Sequence, residues 1–315
     1  MASENLQHKI DSAYNKIKEH IHRTPILTSQ YLDDLSGAQL FFKCENFQKI
    51  GAFKMRGALH AVLTSPKDEL KKGFVTHSSG NHAQAVARAA QIAKTTAYIV
   101  MPKGAPAIKV KAVKGYGGQV TLCENSEQSR IETCQQIIDQ TQATFVHPYD
   151  SDAVILGQAT CAKEIYEQCP ALDDLICPVG GGGLASGSIL ATKAFSPTTR
   201  VILAEPKNAD DAYQSFTQKK HLKVIRPNTI ADGLKTSLGK RNFKIILDGA
   251  AAIYTVSEEE IIHAMQLIWE RLKIICEPSC SLPLAVVLKN PNEFKGRKIG
   301  LILTGGNVDL SNLPF

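Results

Sequence analysis

Apolar and polar positions follow a repeating order along this chain: short, nearly unbroken apolar runs, each followed by a stretch with helical spacing. Leu40–Cys44 (LFFKC) precedes a helix over Phe53–Leu63, and Gly73–His77 (GFVTH) precedes one over Asn81–Ala93. Ala97–Met101 leads into Lys109–Lys114, Gln119–Cys123 into Ser129–Gln140, and Ala143–His147 into Val154–Cys169. Leu175–Val179 leads into Leu184–Phe195, and Val201–Glu205 and Lys298–Leu303 are further buried-type strands. Strands apolar on both faces that alternate with helices predict α/β architecture, with open parallel sheets covered on both sides. No low-complexity linker divides the chain, so two lobes would have to interleave. The chain has 315 residues, enough for two such lobes.

In open α/β sheets, ligands sit beyond the carboxyl ends of the strands. Four polar or glycine-rich stretches fall there: GAFKMRGA (51–58), HSSGNH (77–82), PVGGGG (178–183) and TGGN (304–307). Gly180–Gly183 lets backbone N–H groups close on an anion at a helix start, which predicts a phosphate site. A tight turn alone needs one or two glycines. The loop lacks the Walker Lys-Ser/Thr and the G-x-G-x-x-G spacing, so neither the usual nucleotide loop nor a dinucleotide site fits. Ser78–His82 offers N–H groups and side-chain donors suited to a carboxylate, with Ser79 or Gly80 as helix cap. A Ser-His hydrolase is disfavoured, because no G-x-S-x-G elbow is present. Lys54 stands among apolar residues, where desolvation makes an amine a base or nucleophile. Lysine, phosphate loop and carboxylate turn together suggest pyridoxal 5′-phosphate held covalently on Lys54. Arg56 is expected to form a structural ion pair.

Composition narrows the partners. The formal charge is +6, with both signs interspersed and only short basic runs, so no nucleic-acid interface is expected. The N-terminal stretch reads as an amphipathic polar helix, without a signal pattern, and no segment approaches a membrane span. A cytoplasmic protein is expected, and its 8 cysteines are expected as free, mostly buried thiols. Cys276-x3-Cys280 is read as packing rather than zinc.

The chain resembles the fold-type II pyridoxal-phosphate family, which includes serine racemases and the serine and threonine dehydratases. The matching stretches run in family order over essentially the whole chain: HRTPILTS (22–29), LFFKCENFQKIGAFKMRGA (40–58), THSSGNHAQA (76–85), PVGGGGL (178–184), AEPKNADD (204–211), IADGLKTSLG (230–239), EPS (277–279) and LTGGNVDL (303–310). The resemblance implies a tryptophan-synthase-β-like fold of two interleaved sheets, with a large domain over residues 1–70 and 151–315 and a small one over 71–150. It implies that Lys54 binds the cofactor, beside Phe53. Asn81 would meet the cofactor's 3′-oxygen, Gly180, Gly181, Gly182, Gly183 and Leu184 its phosphate, and Thr304 its pyridine nitrogen. Ser78, Ser79, Asn81, His82 and Arg130 would hold the substrate carboxylate. Ser79 stands where many pure dehydratases carry Ala, and would serve the second face of the substrate opposite Lys54. Racemisation of serine, with elimination to pyruvate and ammonia, is the implied activity.

The resemblance further implies Glu205, the carbonyl of Ala209 and Asp211 as ligands for Mg²⁺, Ca²⁺ or Mn²⁺. Animal members bind ATP between subunits, and Ser29, Lys49, Gln84, Tyr116, Lys273 and Asn307 fall at or near the corresponding positions. A homodimer is implied. There are departures from the pattern. Ser281 and Pro283 stand where the family usually shows glycines, which puts the turn there in question. Tyr149-Asp150 follows Pro148, a dehydratase-like HPYD. The three serines associated with animal aspartate racemases at that place are absent, which favours serine as substrate.

Overall fold

The computed structural model describes residues 2–105, 107–223 and 227–315. Its strands are β1 (Ile26–Leu27), β2 (Gln39–Cys44), β3 (Phe74–His77), β4 (Ala97–Pro102), β5 (Gln119–Cys123), β6 (Thr144–Phe145), β7 (Asp174–Pro178), β8 (Arg200–Pro206), β9 (Ala252–Val256) and β10 (Lys298–Leu303). They form two sheets, ordered β1-β2-β10-β7-β8-β9 and β5-β4-β3-β6. Every pairing is parallel except β1 with β2. The smaller sheet is drawn from residues 74–145, and the flanking segments build the larger one. This is the interleaved, mostly parallel architecture expected from the alternation.

A legible strand and a missed one differ in burial. β7 (DLICP) is buried at every position, whereas the edge strand β9 (AIYTV) is buried only at Ile253 and Val256. The apolar run there, residues 250–254 (AAAIY), directly follows the helix Lys240–Gly249, and so short a run does not by itself tell strand from helix. The strand expected over Ala143–His147 shortens to Thr144–Phe145. Its end is a turn, in which His147 Nδ1 accepts from the N–H groups of Tyr149 (3.2 Å) and Asp150 (2.8 Å). After Glu277 the chain makes a helix, Pro278–Lys289, that runs through Pro283. The Ser281 hydroxyl is buried there and donates to Ile261 O at 2.9 Å.

The helix Lys54–Thr64 joins the two sheets. It follows β2 of the larger sheet, yet Met55, Ala58, Leu59 and Val62 belong to the apolar core that includes Phe74, Val86 and Ile99. Arg56 is fully buried and paired, as expected. Its Nε and Nη2 donate to Glu45, and its Nη1 and Nη2 to Glu164, all at 2.8 Å. Lys43 joins from the side, donating to Glu164 at 2.6 Å. All 8 cysteines are free and 7 of them are buried, Cys276 and Cys280 among them.

Candidate active site

Strand order gathers the expected residues. β2, β10 and β7 are neighbours in the larger sheet, so the stretch carrying Lys54, the loop at Thr304 and the glycine loop emerge side by side. An isolated bridge pairs Ala52 with Gly305, and Phe53 N–H donates to Thr304 O at 3.0 Å. The SSGN turn enters from the end of β3, a central strand of the smaller sheet. Links that cross between the sheets include Lys54 Nζ donating to Pro148 O (2.9 Å) and Asn81 Nδ2 to Glu277.

Lys54 lies near two rings, with Nζ 5.2 Å from the Phe53 centroid and 6.0 Å from that of Tyr149. Burial pushes its amine down to about 8, partly offset by the charge of Glu277. An amine so placed is a usable base near neutral pH. Glu277 is itself pushed up to about 7 by burial, against the hydrogen bond from Asn81.

The SSGN turn takes the second of the two caps expected for it. Gly80 is the N-cap of the helix Asn81–Ile92, and no side chain caps it. Ser78 Oγ accepts from Gly80 N at 3.2 Å, while the Ser79 hydroxyl bonds to nothing among the described residues. The N–H groups of Ser79, Asn81 and His82 likewise meet no protein acceptor among those residues, which leaves them to a carboxylate. The His82 ring is engaged elsewhere: Nε2 donates to Val146 O at 3.0 Å. Burial and the nearby Lys54 amine push that ring down to about 3, so it is neutral. Arg130 turns its Nε to Ser126 O (3.2 Å), and its charge helps lower the His77 ring.

The glycine loop is a cradle without protein partners. Gly180, Gly181, Gly182 and Gly183 are buried, and among the described residues none of their N–H groups donates to a protein acceptor. Buried unpaired N–H groups are rare in folded proteins, and four together at the start of the helix Gly183–Phe195 fit a phosphate. Gly182 has φ +91°, and a Cβ on Gly181 would lie 2.3 Å from the Tyr149 ring, so side chains are excluded here. Three residues that sequence reasoning passed over complete the arrangement. Tyr149 covers Gly181. Asn242 Nδ2 donates to both Gly181 O (2.8 Å) and Tyr149 O (3.1 Å), and Arg241 Nη1 to Asp150 O (2.9 Å). The helix Lys240–Gly249 thus fastens the His147–Asp150 turn to the glycine loop. Only HPYD was visible beforehand, as a departure.

The acidic residues form a second group beyond β8. Glu205 accepts from the N–H groups of Ala212 (2.9 Å) and Tyr213 (2.7 Å), and Asp211 Oδ2 from Leu238 N (2.7 Å). Burial lifts Glu205 well above the carboxylate range and Asp211 to about 6. Asp211 Oδ1 is buried with no partner among the described residues. That single unpartnered oxygen is the kind of donor a hard divalent cation takes, although among the described residues no three His, Cys, Asp or Glu side chains gather into a metal-holding group. Ala209, close by in sequence, is buried. The expected nucleotide residues are spread along the chain. Ser29 caps Gln30–Ser36, Lys273 ends Glu258–Leu272, Tyr116 stacks under Arg88, and Lys49 and Gln84 lie on separate helices. Asn307 Nδ2 donates to Ile50 O and Asn81 Oδ1, both at 2.8 Å.

Comparison with known proteins agrees with this geometry. Residues 17–305 match the family model described as pyridoxal-phosphate dependent enzyme. A β-hydroxyaspartate dehydratase of Paracoccus denitrificans is 49% identical, covering 96% of both chains. A serine racemase of Dictyostelium discoideum is 45% identical, covering 96% of this chain and 95% of that one. The crystal structure of a serine racemase from Dictyostelium discoideum superposes with a TM-score of 0.93 at 44% identity, covering 96% of this chain and 99% of that one. A lysine between aromatic rings, an unpartnered N–H cradle and a match over nearly the whole length lead to one conclusion: this chain belongs to the family of pyridoxal-phosphate dependent enzymes.

Proposed function

We propose that the chain is a serine racemase that also eliminates water from serine, the released aminoacrylate then taking up water to give pyruvate and ammonia. The observation that carries this reading is Ser79, a hydroxyl in the carboxylate-binding turn with no capping duty and no hydrogen bond among the described residues. Racemisation needs a proton removed on one face of the α-carbon and returned on the other. Lys54, with its amine near 8, handles one face, and Ser79 handles the other. The free N–H groups of Ser79, Asn81 and His82 hold the substrate carboxylate. When bound, the cofactor withdraws charge from the α-carbon. Gly180–Gly183 and Leu184 hold its phosphate, Asn81 its 3′-oxygen, and the neutral hydroxyl of Thr304 its ring nitrogen. The Pro148 carbonyl and the rings of Phe53 and Tyr149 keep Lys54 in place.

A second reading is favoured by the 49% identity to a β-hydroxyaspartate dehydratase: elimination from a 3-hydroxy amino acid that carries a second carboxylate. One experiment separates the two. The enzyme is incubated with L-serine and, in parallel, with the stereoisomers of 3-hydroxyaspartate, and products are resolved on a chiral column. D-serine should form from L-serine. In Ser79→Ala that reaction should fall by about a hundredfold or more while pyruvate still forms. Pyruvate without D-serine in the wild type would refute the racemase reading. Faster turnover of a 3-hydroxyaspartate than of serine would establish the second one.

The proposal extends to a divalent cation on Glu205, Ala209 O and Asp211, to ATP as an effector bound between two subunits, and to a cytoplasmic homodimer. Among the described residues no helix is long and apolar enough to cross a membrane. Thermal melting tests both ligands. Asp211 has its carboxyl raised to about 6, so above that pH the metal-free chain holds a buried, ionised group whose cost a cation relieves. Mg²⁺ or Ca²⁺ should therefore raise Tm at pH 8 and lose the effect as pH falls through 6. An equal effect at pH 5 would refute the site, and ATP that alters neither Tm nor turnover would refute the nucleotide role.

A further inference from the structure

Glu277 has no part in the proposal above, yet its carboxylate reaches into the site. It precedes the helix Pro278–Lys289 in the N-cap position but makes no capping hydrogen bond with its side chain. It forms no ion pair among the described residues. Its backbone N–H donates to Gly305 O at 2.9 Å, which anchors it to the loop after β10. The side chain accepts from Asn81, whose Nδ2 donates to Oε1 at 3.0 Å and Oε2 at 3.2 Å, and from the backbone N–H of Asn307. Gly305 leaves the room for this, since a Cβ there would lie 2.8 Å from Glu277 Oε1.

The other end of the Asn81 amide is fixed as well. Its Oδ1 accepts from Asn307 Nδ2 at 2.8 Å, and the same Nδ2 donates to Ile50 O at 2.8 Å. With a donor against its oxygen and a carboxylate against its nitrogen, the amide has one orientation. A carboxylate that neither caps nor pairs, only 8% exposed, is costly unless the hydrogen bonds it receives, from Asn81 and the Asn307 backbone, matter to the site.

We infer that Glu277 is a positioning residue: it holds the Asn81 amide so that one N–H is taken by the carboxylate and the second faces the cofactor's 3′-oxygen. This rests on the cofactor-binding reading of Asn81. Without Glu277 only Asn307 holds the amide, by its oxygen, and the second N–H loses its fixed aim at the cofactor's 3′-oxygen.

The test uses the holoenzyme and reads the cofactor's dissociation constant and its visible absorption, which reports the state of the 3′-oxygen. Single variants Asn81→Ala, Glu277→Ala and Glu277→Gln are compared with the two double variants. Glu277→Ala should weaken cofactor binding about tenfold, the loss of one hydrogen bond to a charged group, and shift the visible band. Glu277→Gln keeps an acceptor for Asn81 and should retain most of both. In the Asn81→Ala background, read above pH 8 where the Lys54 amine is neutral, neither change should weaken binding or shift the band further. A folded Glu277→Ala with wild-type band and affinity overturns the inference, as does an equal loss in both backgrounds. If Glu277→Ala fails to fold, the Gln pair decides: a loss from Glu277→Gln that persists without Asn81 overturns it. Should Asn81→Ala itself leave band and affinity unchanged, the reading of Asn81 falls first, which separates the two failures.

Discussion

Lys54 and Arg56 stand two residues apart at the start of one helix, and both cations are enclosed by protein, yet their surroundings are opposite. Arg56 is saturated. Glu45 and Glu164 each take hydrogen bonds from it at 2.8 Å, Thr24 supports Glu45 at 2.6 Å, and Lys43 balances the second carboxylate. Burial alone would raise the Glu45 carboxyl, but the Arg56 guanidinium beside it holds it below the usual range. Lys54 has one carbonyl, two aromatic faces and the field of a carboxylate that is itself lifted to about 7. The first arrangement fixes a charge in every direction and cannot react without breaking the core. The second leaves a charge undercompensated, and an undercompensated amine gives up its proton. Burial by itself therefore does not mark a functional residue; the shortage of partners does.

The largest effects come from exchanging damage between the two. Arg56→Ala should cost about 3–5 kcal/mol of unfolding free energy in urea, because it strands two buried carboxylates. That is a large share of a typical domain's stability. Lys54→Ala removes a side chain with a single hydrogen bond to the protein, so it should unfold close to wild type. It should bind no cofactor covalently and lose turnover by about a thousandfold or more. The comparison breaks if Lys54→Ala is the less stable of the two, or if Arg56→Ala folds normally and only activity falls.

How far the sequence carried this contrast depends on where each residue's partners lie. The glycine loop and Lys54 are local signals, set by an apolar strand and the residues that directly follow it, and both stand where the alternation puts them. Arg56 was legible as a structural charge, but its partner Glu164 lies 108 residues away, and no local spacing points to it. Glu277 and Asn81 are 196 residues apart, and Asn242 reaches Tyr149 across 93. Such residues look ordinary until the fold closes. Of the two caps expected, Ser79 or Gly80, the structure uses Gly80. The turn bonds Ser78 to Gly80 N, so the second hydroxyl is left over. The edge strand β9 escaped notice because its short apolar run directly follows a helix and cannot be told from one by periodicity.

A subtler measurement sharpens the contrast without any substitution. The Lys54 amine sits near 8 instead of the lysine value of 10.5. Between those two values the unfolded chain binds a proton that the folded one has released. This group's contribution to stability therefore rises with pH across that window, and its penalty is fully present below it. Arg56 stays charged throughout, so it contributes no such slope. Cofactor attachment needs the neutral amine, of which about one-tenth exists at pH 7 for a group near 8. An ordinary lysine would offer about one in three thousand. The rate at which the cofactor-free protein takes up pyridoxal phosphate should therefore climb tenfold per pH unit on the acid side and level off near pH 8. The charge of Glu277 raises the Lys54 value. Glu277→Gln should accordingly move the plateau to lower pH while leaving Arg56 and its carboxylates untouched. A plateau only near pH 10 would mean that Lys54 is as well compensated as Arg56, and the distinction between the two cations would collapse.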